Sequence, residues 1–483
     1  MSQAPHASYI SGDWIGSDDL NLNINPSNLD EQVGAYARAD RAQVEQAIAA
    51  ARAAFPSWSR SRPETRLEVL DAIGAELIAR KEELGRLLSR EEGKPLAEGI
   101  GETARAGQFF RYFAAECVRQ IGDSADSVRP GVEVEVHREA LGVVGIITPW
   151  NFPTAIPAWK IAPALAYGNC VVFKPAELVP GSAWALAEII SRSDLPAGVF
   201  NLVMGRGREV GETILESTEV DAVTFTGSVE TGQHVASRAV ARMARVQLEM
   251  GGKNPLIVLD DAELDVAVES AINGAFFATG QRCTASSRLI VTDGIHDRFV
   301  ETMIERMKSL RVGDALDPET KIGPVVDQGQ LDTNQSYIKL GSDEGATLAW
   351  GGELLNRETP GHYMAPALFT ETRNDMRINR EEIFGPIASV IRVKDYDEAL
   401  ATANDTPFGL TAGIITTSLK HASHFKRNAQ AGTVMVNLPT AGTDYHVPFG
   451  GRKASSYGPR EQSSYAREFY TIVKTAYTNP GAP

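Results

Sequence analysis

The chain has 483 residues, of which 43% are hydrophobic, and a formal net charge of −15. Its length predicts two or three domains, and its acidic balance argues against a general nucleic-acid-binding surface. No apolar run approaches the about 18 residues that a membrane span needs, and the N-terminus lacks the basic-then-apolar order of a signal peptide. We therefore predict a cytoplasmic protein with neither nucleic acid nor membrane as a partner. The three cysteines are widely spaced and include no CxxC pair, so we expect neither a disulfide framework nor a metal site.

The N-terminal part is predicted to open with short strands and to continue with helices. Brief β-like runs separated by turn residues extend to about Arg38. Apolar residues such as Leu67, Leu70 and Ile73 then recur at intervals near 3.6 in the stretch 64–91, which is the periodicity of an amphipathic helix. We interpret these helices as a scaffold.

A hairpin is predicted after these helices. Val132, Val134 and Val136 alternate with charged or polar residues, which is typical of a strand with one solvated face. The turn DSVRPG precedes this strand and allows it to project from the body of the protein. The C-terminal run 468–477 alternates in the same way and is predicted to pair with the hairpin, within the chain or across a subunit boundary.

Short apolar runs alternate with helical segments from Leu141 to Leu259, and a second alternating series follows from Gly252. Alternation of this kind predicts parallel sheets covered by helices, with the ligand crevice at the carboxyl ends of the strands. We therefore predict an α/β fold with two doubly wound α/β domains, the first of them Rossmann-like, plus a small β element.

Cys283 is the candidate nucleophile. It lies in the sequence GQRCTAS, where Gly280 loosens the backbone and Arg282 and Thr284 flank the thiol with a charge and a hydroxyl group. Such neighbours favour a thiolate. A lone cysteine is more often a small packing residue, which is our interpretation of Cys117 and Cys170.

Two further motifs supply the other groups that acyl chemistry requires. Glu249 ends an apolar run in LEMGGKNP, and Asn151 lies between an aromatic residue and a proline turn in TPWNFP. A nucleophile, a carboxylate base and an amide donor are the components of covalent acyl transfer. The alternative for Glu249 is a salt-bridged surface residue.

The evidence for dinucleotide binding is divided between two segments. Gly205, Gly207 and Gly211 miss the spacing of a GxGxxG motif by one residue, so alone they indicate only a loop. The segment TFTGSVETG leaves a predicted strand and enters a predicted helix, so backbone N–H groups and Ser228 are placed to face a pyrophosphate.

Seven motifs occur in the order typical of one family: PWNFP, KPAE, FTGSVETG, LEMGGKNP, GQRCTA, EEIFGP and PFGGRK. Through them nearly the whole chain resembles the aldehyde dehydrogenase superfamily. The resemblance implies NAD(P)-dependent oxidation of an aldehyde to an acid, with Cys283 forming a thiohemiacetal and then a thioester. It implies that Asn151 and the Cys283 N–H bind the oxyanion, and that Glu249 activates the deacylating water.

The resemblance also implies a set of cofactor residues, in which Lys174 and Glu177 hold the adenosine ribose and Glu382 and Phe384 position the nicotinamide end. The carboxylate of Glu177 favours NAD over NADP, since it would repel a 2′-phosphate, although Lys174 tolerates one. The full set is Trp150, Lys174, Glu177, Gly207, Gly211, Phe225, Gly227, Ser228, Glu382 and Phe384.

The substrate is less well defined. The arginines that clamp succinate semialdehyde in some members are absent here, where Trp159 and Phe277 stand. Arg282 is an alternative carboxylate clamp, unless it forms a structural ion pair. The C-terminal motifs resemble the branch that oxidises 2-oxoglutarate semialdehyde in sugar-acid breakdown. The predicted substrate residues are Phe152, Trp159, Arg282, Thr284 and Thr440.

Several alternatives stay open from sequence. The enzyme has broad specificity or takes succinate or glutarate semialdehyde, or it is a cysteine esterase, or it is a binding protein that has lost activity. By resemblance we assign 1–119 and 140–251 to an NAD(P)-binding domain, 252–454 to a catalytic domain, and 120–139 with 455–483 to a bridging element. That element predicts a homo-dimer or homo-tetramer.

Overall fold

The computed structural model describes residues 4–119 and 122–481. The chain begins with short strands and a group of helices: β1 (Ser8–Ile10), β2 (Asp13–Ile15), β3 (Leu20–Asn25), β4 (Asn28–Ala37), α1 (Arg41–Trp58), α2 (Pro63–Ala79), α3 (Lys81–Glu92) and α4 (Leu96–Glu116). Asp40 caps α1, and Gln43 completes the capping box. The predicted helical stretch 64–91 is divided between α2 and α3, because Arg80 leaves helical geometry with φ −98° and ψ 13°.

The first large sheet forms from strands that alternate with helices. Its parallel strands are β7 (Val143–Ile147), β8 (Cys170–Lys174), β9 (Phe200–Leu202), β10 (Ala222–Thr226) and β11 (Arg245–Glu249), and its helices are α5 (Ala155–Ala166), α6 (Pro180–Ser191), α7 (Glu212–Glu216) and α8 (Val229–Ala241). Strands β8 and β10 are buried throughout. Burial on both faces explains why they read as continuous apolar runs.

The strand order of this sheet is β19-β11-β10-β7-β8-β9-β1-β2, where β19 is Ser456–Tyr457. Strand β7 lies between β8 and β10, so the chain leaves it in both directions and creates a topological switch point there. The predicted Rossmann-like, doubly wound topology is therefore confirmed. A ligand crevice is expected outside the carboxyl ends of β7, β8 and β10.

The second large sheet carries the candidate nucleophile. Its elements are β12 (Asn254–Val258), α9 (Leu264–Phe276), β13 (Ser286–Thr292), α10 (Asp293–Lys308), α11 (Gln328–Asp343), β14 (Thr347–Trp350), β15 (Ala367–Thr372), α12 (Arg377–Arg380), β16 (Ile387–Val393), α13 (Tyr396–Asn404), β17 (Thr411–Ile415), α14 (Leu419–Asn428) and β18 (Thr433–Val436). The order is β14-β15-β16-β13-β12-β17-β18, with β14 antiparallel to its neighbour. The predicted second α/β unit is confirmed.

A separate small sheet has the order β20-β6-β5 and contains the predicted hairpin. Its strands are β5 (Asp123–Asp126), β6 (Glu133–Ala140) and β20 (Thr471–Thr478). Strand β20 pairs antiparallel with β6 of the same chain, with Thr475 opposite Val136. The pairing with the C-terminal run is thus confirmed within the chain, where a short α15 (Arg467–Tyr470) packed in the first core delivers β20 to the hairpin.

The domain boundaries remain predictions, and sheet membership refines them at one point. Ser456 and Tyr457 pair with β11 and therefore belong to the first sheet. Among residues 4–119 and 122–481, no helix combines the length and the apolar character that crossing a bilayer requires.

Candidate active site

The loop that carries Cys283 connects α9 to β13 and has a strained backbone. Ala278 and Thr279 have φ values of 50° and 57°, a left-handed conformation that such residues rarely adopt. Gly280 follows, and a Cβ atom there would lie 2.2 Å from the carbonyl oxygen of Gly385, so only glycine fits. Strain of this kind concentrates at functional sites. The role of Gly280 is therefore steric as well as conformational.

Asn254, the first residue of β12, fixes the position of this loop. Its amide Nδ2 donates hydrogen bonds to the carbonyl oxygens of Cys283 at 2.8 Å and Ala285 at 3.0 Å. Its Oδ1 accepts from the N–H of Thr411 at 3.0 Å. The nucleophile loop is thereby attached to an interior strand of the second sheet. Asn254 was not predicted as a site residue, although it directly follows the GGK sequence at 251–253.

Asn151 reaches the same loop from the other domain. The side chain is buried, and its Nδ2 donates to the carbonyl oxygen of Gln281 at 2.9 Å, two residues before Cys283. Lys94 donates through Nζ to the backbone oxygen of Asn151 at 2.7 Å. The predicted amide donor is therefore held beside the predicted nucleophile. The second N–H of its amide group remains for another acceptor.

Glu249 ends β11 and is buried. Its Oε2 accepts a hydrogen bond from Ser456 Oγ at 2.5 Å, while its Oε1 has no hydrogen-bond partner within the described part of the chain. Burial raises the pKa of this carboxyl group to about 8, and the nearby carboxylate of Glu461 adds to the effect. Such a pKa suits a general base near neutral pH. A salt-bridged surface position, the alternative for Glu249, is wrong.

The Cys283 thiol differs from its prediction. The side chain is partly exposed, yet its surroundings raise the thiol pKa to about 12, first through burial and then through the carboxylates of Glu382 and Glu249. The expectation that Arg282 and Thr284 favour a thiolate is therefore wrong for this structure. The physical reason is that burial disfavours the charged thiolate, and the carboxylates of Glu382 and Glu249 disfavour it further. The glycines after Glu249 lie between these groups, because a Cβ atom would be 2.8 Å from the Cys283 carbonyl oxygen at Gly252 and 2.0 Å from Glu382 Oε2 at Gly251.

Arg282 is engaged elsewhere. Its guanidinium Nη2 lies 3.1 Å from Glu98 Oε2, and Glu98 also accepts from the N–H of Ala278 at 3.2 Å. The structural ion pair, one of the two interpretations left open from sequence, is the one observed. Arg282 therefore helps to anchor the nucleophile loop to α4.

The predicted adenosine site lies just beyond the carboxyl end of β8. Lys174 is buried, donates to the carbonyl oxygen of Pro175 at 2.9 Å, and has its pKa lowered to about 8 by burial. The carboxylate of Glu177 lies 3.6 Å from Arg38 Nε. In doubly wound folds an acidic residue beyond the second strand binds the ribose hydroxyls. β8 is the strand that follows β7, so Glu177 has that topological position.

The predicted phosphate-binding segment follows β10. Ser228 caps α8, its Oγ accepting from the N–H of Thr231 at 3.3 Å. Cβ atoms added at Gly207 and Gly211 would meet no atom within 4 Å, so the neighbouring chain does not require glycine there. Gly227 is different, because a Cβ would lie 2.5 Å from the ring of Phe225. Free N–H groups at the start of α8 and open space over the glycines fit a dinucleotide phosphate.

The residues predicted to hold the nicotinamide end of the cofactor come from both domains. The rings of Trp150 and Phe384 meet edge to face at 5.4 Å between centroids and 89°. Glu382 accepts a hydrogen bond through Oε1 from the N–H of Gly252 at 2.8 Å, and burial raises its pKa to about 7. These three residues thus lie at the junction that also contains Cys283.

Comparison with known proteins gives the same assignment. The model of the aldehyde dehydrogenase family matches residues 14–476. The alpha-ketoglutaric semialdehyde dehydrogenase of Bacillus subtilis is 42% identical over 482 residues, covering 99% of each chain. A betaine aldehyde dehydrogenase of Mesorhizobium japonicum is 41% identical over 486 residues, covering 100% of this chain and 99% of the relative. A crystal structure of Staphylococcus aureus betaine aldehyde dehydrogenase with NAD+ has a TM-score of 0.96 at 36% identity, covering 99% of this chain and 95% of that one.

This chain belongs to the aldehyde dehydrogenase family.

Within this family member, the predicted substrate residues divide into two groups. Trp159 is buried against Phe109, with 5.8 Å between ring centroids, and against Phe449 at 5.6 Å. The Phe152 ring lies 3.8 Å from Lys94 Nζ. Trp159, Phe109 and Phe449 therefore form an aromatic wall, and Phe152 follows Asn151 directly in the chain.

Thr440 and Thr284 instead connect two loops of the dehydrogenase. Thr440 Oγ1 donates to the carbonyl oxygen of Thr284 at 2.7 Å, and it lies 2.6 Å from Ser286 Oγ. The Thr440 hydroxyl is therefore committed to joining the loop at 438–446 to the nucleophile loop. These hydrogen bonds therefore do not support the prediction that Thr440 contacts substrate oxygens.

A buried polar network behind Glu249 was not found from sequence. Lys160 forms a fully buried ion pair with Glu461 and donates to Thr224 Oγ1 at 2.7 Å. The lysine lies in the apolar run of α5, where the sequence offered only the signal of a charge in an otherwise buried helix. This pair contributes to the charge environment of Glu249.

His234 and His296 do not support the alternative of a cysteine esterase within the family fold. His234 Nε2 lies 2.6 Å from Glu212 on the surface, and His296 Nδ1 lies 2.9 Å from Asp297. Both side chains are therefore engaged with carboxylates outside the Cys283 loop. Neither is placed as a base for a hydrolase.

Proposed function

We propose that this protein oxidises an aldehyde to the carboxylic acid with NAD, through a covalent intermediate on Cys283. The observation that carries the proposal is the meeting of Asn151, Glu249 and Cys283 at one loop. Asn151 donates a hydrogen bond to the carbonyl oxygen of Gln281 at 2.9 Å. The chain that follows Glu249 passes beside the same loop, since a Cβ atom at Gly252 would lie 2.8 Å from the carbonyl oxygen of Cys283. Family membership and the NAD+ complex of the S. aureus relative support it.

Three residues carry the steps that the protein performs. Glu249, whose pKa is raised to about 8, takes the proton of Cys283 more readily than an ordinary glutamate. The sulfur bonds to the aldehyde carbon, and the resulting oxyanion accepts a hydrogen bond from the remaining N–H of the Asn151 amide. When bound, the nicotinamide supplies the acceptor for the hydride that leaves this carbon. A thioester then remains on Cys283.

Hydrolysis of the thioester completes the cycle. Glu249 first releases to solvent the proton that it took from Cys283, and then takes a proton from water as the water oxygen bonds to the acyl carbon. The C–S bond breaks and returns the sulfur of Cys283 as a thiolate. The open Oε1 of Glu249 is the atom available for this proton, because Oε2 is occupied by Ser456. The acid and the reduced cofactor are the products.

We propose 2-oxoglutarate semialdehyde as the substrate. The B. subtilis relative at 42% identity carries that activity in its name, whereas the M. japonicum relative at 41% is named for betaine aldehyde. Sequence identity therefore does not distinguish these two candidate substrates. They differ in charge, since 2-oxoglutarate semialdehyde is an anion and betaine aldehyde is a cation, so a comparison of rates can distinguish them. A panel of 2-oxoglutarate, succinate and glutarate semialdehydes, betaine aldehyde and pentanal, each with NAD and with NADP, tests the proposal through kcat/KM. A clear preference for betaine aldehyde or pentanal would remove the anionic substrate class.

The Glu177→Gln variant is expected to shift cofactor preference toward NADP by about tenfold, because it removes the carboxylate that repels a 2′-phosphate while Arg38 and Lys174 stay in place. Binding measured by thermal shift with AMP and with adenosine 2′,5′-bisphosphate checks the change without turnover. The exposed Glu263→Gln serves as a matched control. An unchanged ratio of the two affinities would contradict the assignment of Glu177.

We also propose a homo-dimer or homo-tetramer that uses the sheet β20-β6-β5. Strand β20 exposes Ile472, Val473 and Tyr477, each by about half of its surface or more, with values of 47%, 52% and 61%. Adjacent apolar side chains exposed on an edge strand are typical of an interaction surface. Light scattering of the full chain tests this, and a monomer would contradict it. The cytoplasmic location stays a prediction.

A further inference from the structure

One face of α4 contacts the nucleophile loop, the segment after Asn151 and the ring of Tyr445. Glu98, Glu102, Arg105, Phe109 and Tyr112 follow one another at intervals of four, three, four and three residues, which places them on the same side of a helix. This face contacts three separate segments of the site, and its residues can be followed from the nucleophile loop outward.

The contacts of this face begin at the reacting end. Glu98 pairs with Arg282, the neighbour of Cys283. One turn later, Glu102 Oε1 accepts from the backbone N–H groups of Thr154 at 2.9 Å and Ala155 at 3.1 Å, just after Asn151. Arg105 comes next, one turn further from Cys283.

The guanidinium group of Arg105 lies against an aromatic ring, with its carbon 5.7 Å from the centroid of Tyr445. Within residues 4–119 and 122–481, Arg105 forms neither an ion pair nor a side-chain hydrogen bond. The nearest carboxylate along the helix face, Glu102, is already satisfied by two backbone N–H groups and by Lys94 Nζ at 2.7 Å. A partly buried arginine left unpaired beside aromatic rings is available for an anionic ligand.

The aromatic residues around Arg105 connect it to the aromatic wall of Trp159, Phe109 and Phe449. The Tyr445 ring meets Phe109 edge to face at 6.5 Å, and Phe109 meets Trp159 at 5.8 Å. Tyr445 also meets Tyr112 at 6.2 Å. An apolar wall with one fork-shaped cation at its outer end suits a short aliphatic chain that ends in a carboxylate.

We propose that Arg105 binds the distal carboxylate of a semialdehyde whose aldehyde carbon is presented to Cys283. This inference rests on the proposed function and specifies how its substrate class is selected. Two N–H groups of the guanidinium donate to the two carboxylate oxygens, and the Tyr445 ring holds the guanidinium plane. The same charge disfavours the trimethylammonium group of betaine aldehyde, which the aromatic wall alone would accept. Arg105 thus fills the role predicted for Arg282, which is engaged with Glu98.

The decisive variant is Arg105→Met, which keeps length and apolar contact but removes the charge and the fork. The substrates are glutarate semialdehyde and pentanal, which share a five-carbon chain and differ in the carboxylate, together with betaine aldehyde. We expect kcat/KM for glutarate semialdehyde to fall about 10- to 100-fold, mainly through KM, since a charged hydrogen-bonded pair is lost. The loss for pentanal should be at least tenfold smaller, and the rate with betaine aldehyde should rise.

Two further variants serve as controls for Arg105→Met. Arg111→Met removes an arginine from another face of α4, where it pairs with Asp71 at 3.0 Å, and should behave as wild type. Arg105→Lys keeps the charge without the fork and should recover part of the lost affinity for glutarate semialdehyde. The rate at which iodoacetamide alkylates Cys283 provides a measurement without turnover. Glutarate bound at Arg105 should slow this alkylation in wild type, and it should not slow it in Arg105→Met.

The outcomes separate the inference from the proposed function. Wild type that prefers glutarate semialdehyde while Arg105→Met keeps the same preference overturns the role of Arg105 and leaves the aldehyde oxidation intact. Wild type that prefers pentanal overturns the anionic substrate class and the role of Arg105 together. No reduction of NAD with any aldehyde overturns the proposed function itself.

Discussion

Cys283→Ala is expected to lower the rate of aldehyde oxidation by about 10⁴-fold or more, because no other group can form the covalent intermediate. The loop should keep its shape, since Asn254 holds it through the carbonyl oxygens of residues 283 and 285 and not through the sulfur. Steady-state oxidation of glutarate semialdehyde, followed by absorbance of the reduced nicotinamide, measures the loss.

The matched control for this variant is Cys117→Ala. Cys117 is a buried residue of the first core, and its Sγ lies 3.3 Å from the carbonyl oxygen of Phe113. It should retain wild-type kinetics with at most a modest loss of stability. Substantial turnover by Cys283→Ala at unchanged cofactor affinity would show that the reaction does not pass through this sulfur.

Glu249→Gln is expected to lower kcat by about 10²- to 10⁴-fold, because the thioester loses the base that activates its water. Glutamine can still accept the hydrogen bond from Ser456, so the position should stay packed. A pre-steady-state burst of reduced cofactor, close to one per site, should precede slow turnover if the first half of the reaction survives. Glu45→Gln, at an exposed site of α1, is the control.

The pH dependence provides a second test of Glu249. Burial raises its pKa to about 8, so the carboxylate form needed in a base is a minor species at pH 7 and becomes dominant above pH 8. Wild-type kcat should therefore rise as pH increases through about 8, and Glu249→Gln should lack this rise. A rise in kcat that persists in the variant would assign it to another group.

The three catalytic candidates could be predicted from sequence because each lies in a short motif whose neighbouring residues indicate its position or role. Cys283 follows a glycine whose Cβ would collide with Gly385, and Glu249 ends a buried strand at the ligand edge of the first sheet. The two large sheets could also be predicted, since buried parallel strands read as short apolar runs.

The charge state of the Cys283 thiol and the contacts of its neighbours could not be predicted from sequence. Arg282 adjoins the nucleophile in sequence, yet it pairs with Glu98, a residue far earlier in the chain. The thiol pKa is raised first by burial and then by Glu382 and Glu249, which belong to segments far from Cys283 in the chain. Neighbours in sequence were therefore a poor guide to the electrostatics of the sulfur.

The sequence by itself determined the family, the order of strands and helices in both α/β units, and the residue types available for chemistry, because these depend on local periodicity and on motifs. Only the tertiary structure decided that β20 pairs with β6 of its own chain, that Arg282 is engaged, and that Arg105 is left unpaired beside Tyr445. The physical reason is that pairing, burial and the loss of a counterion depend on residues from distant segments, whose separation in space the linear pattern does not encode.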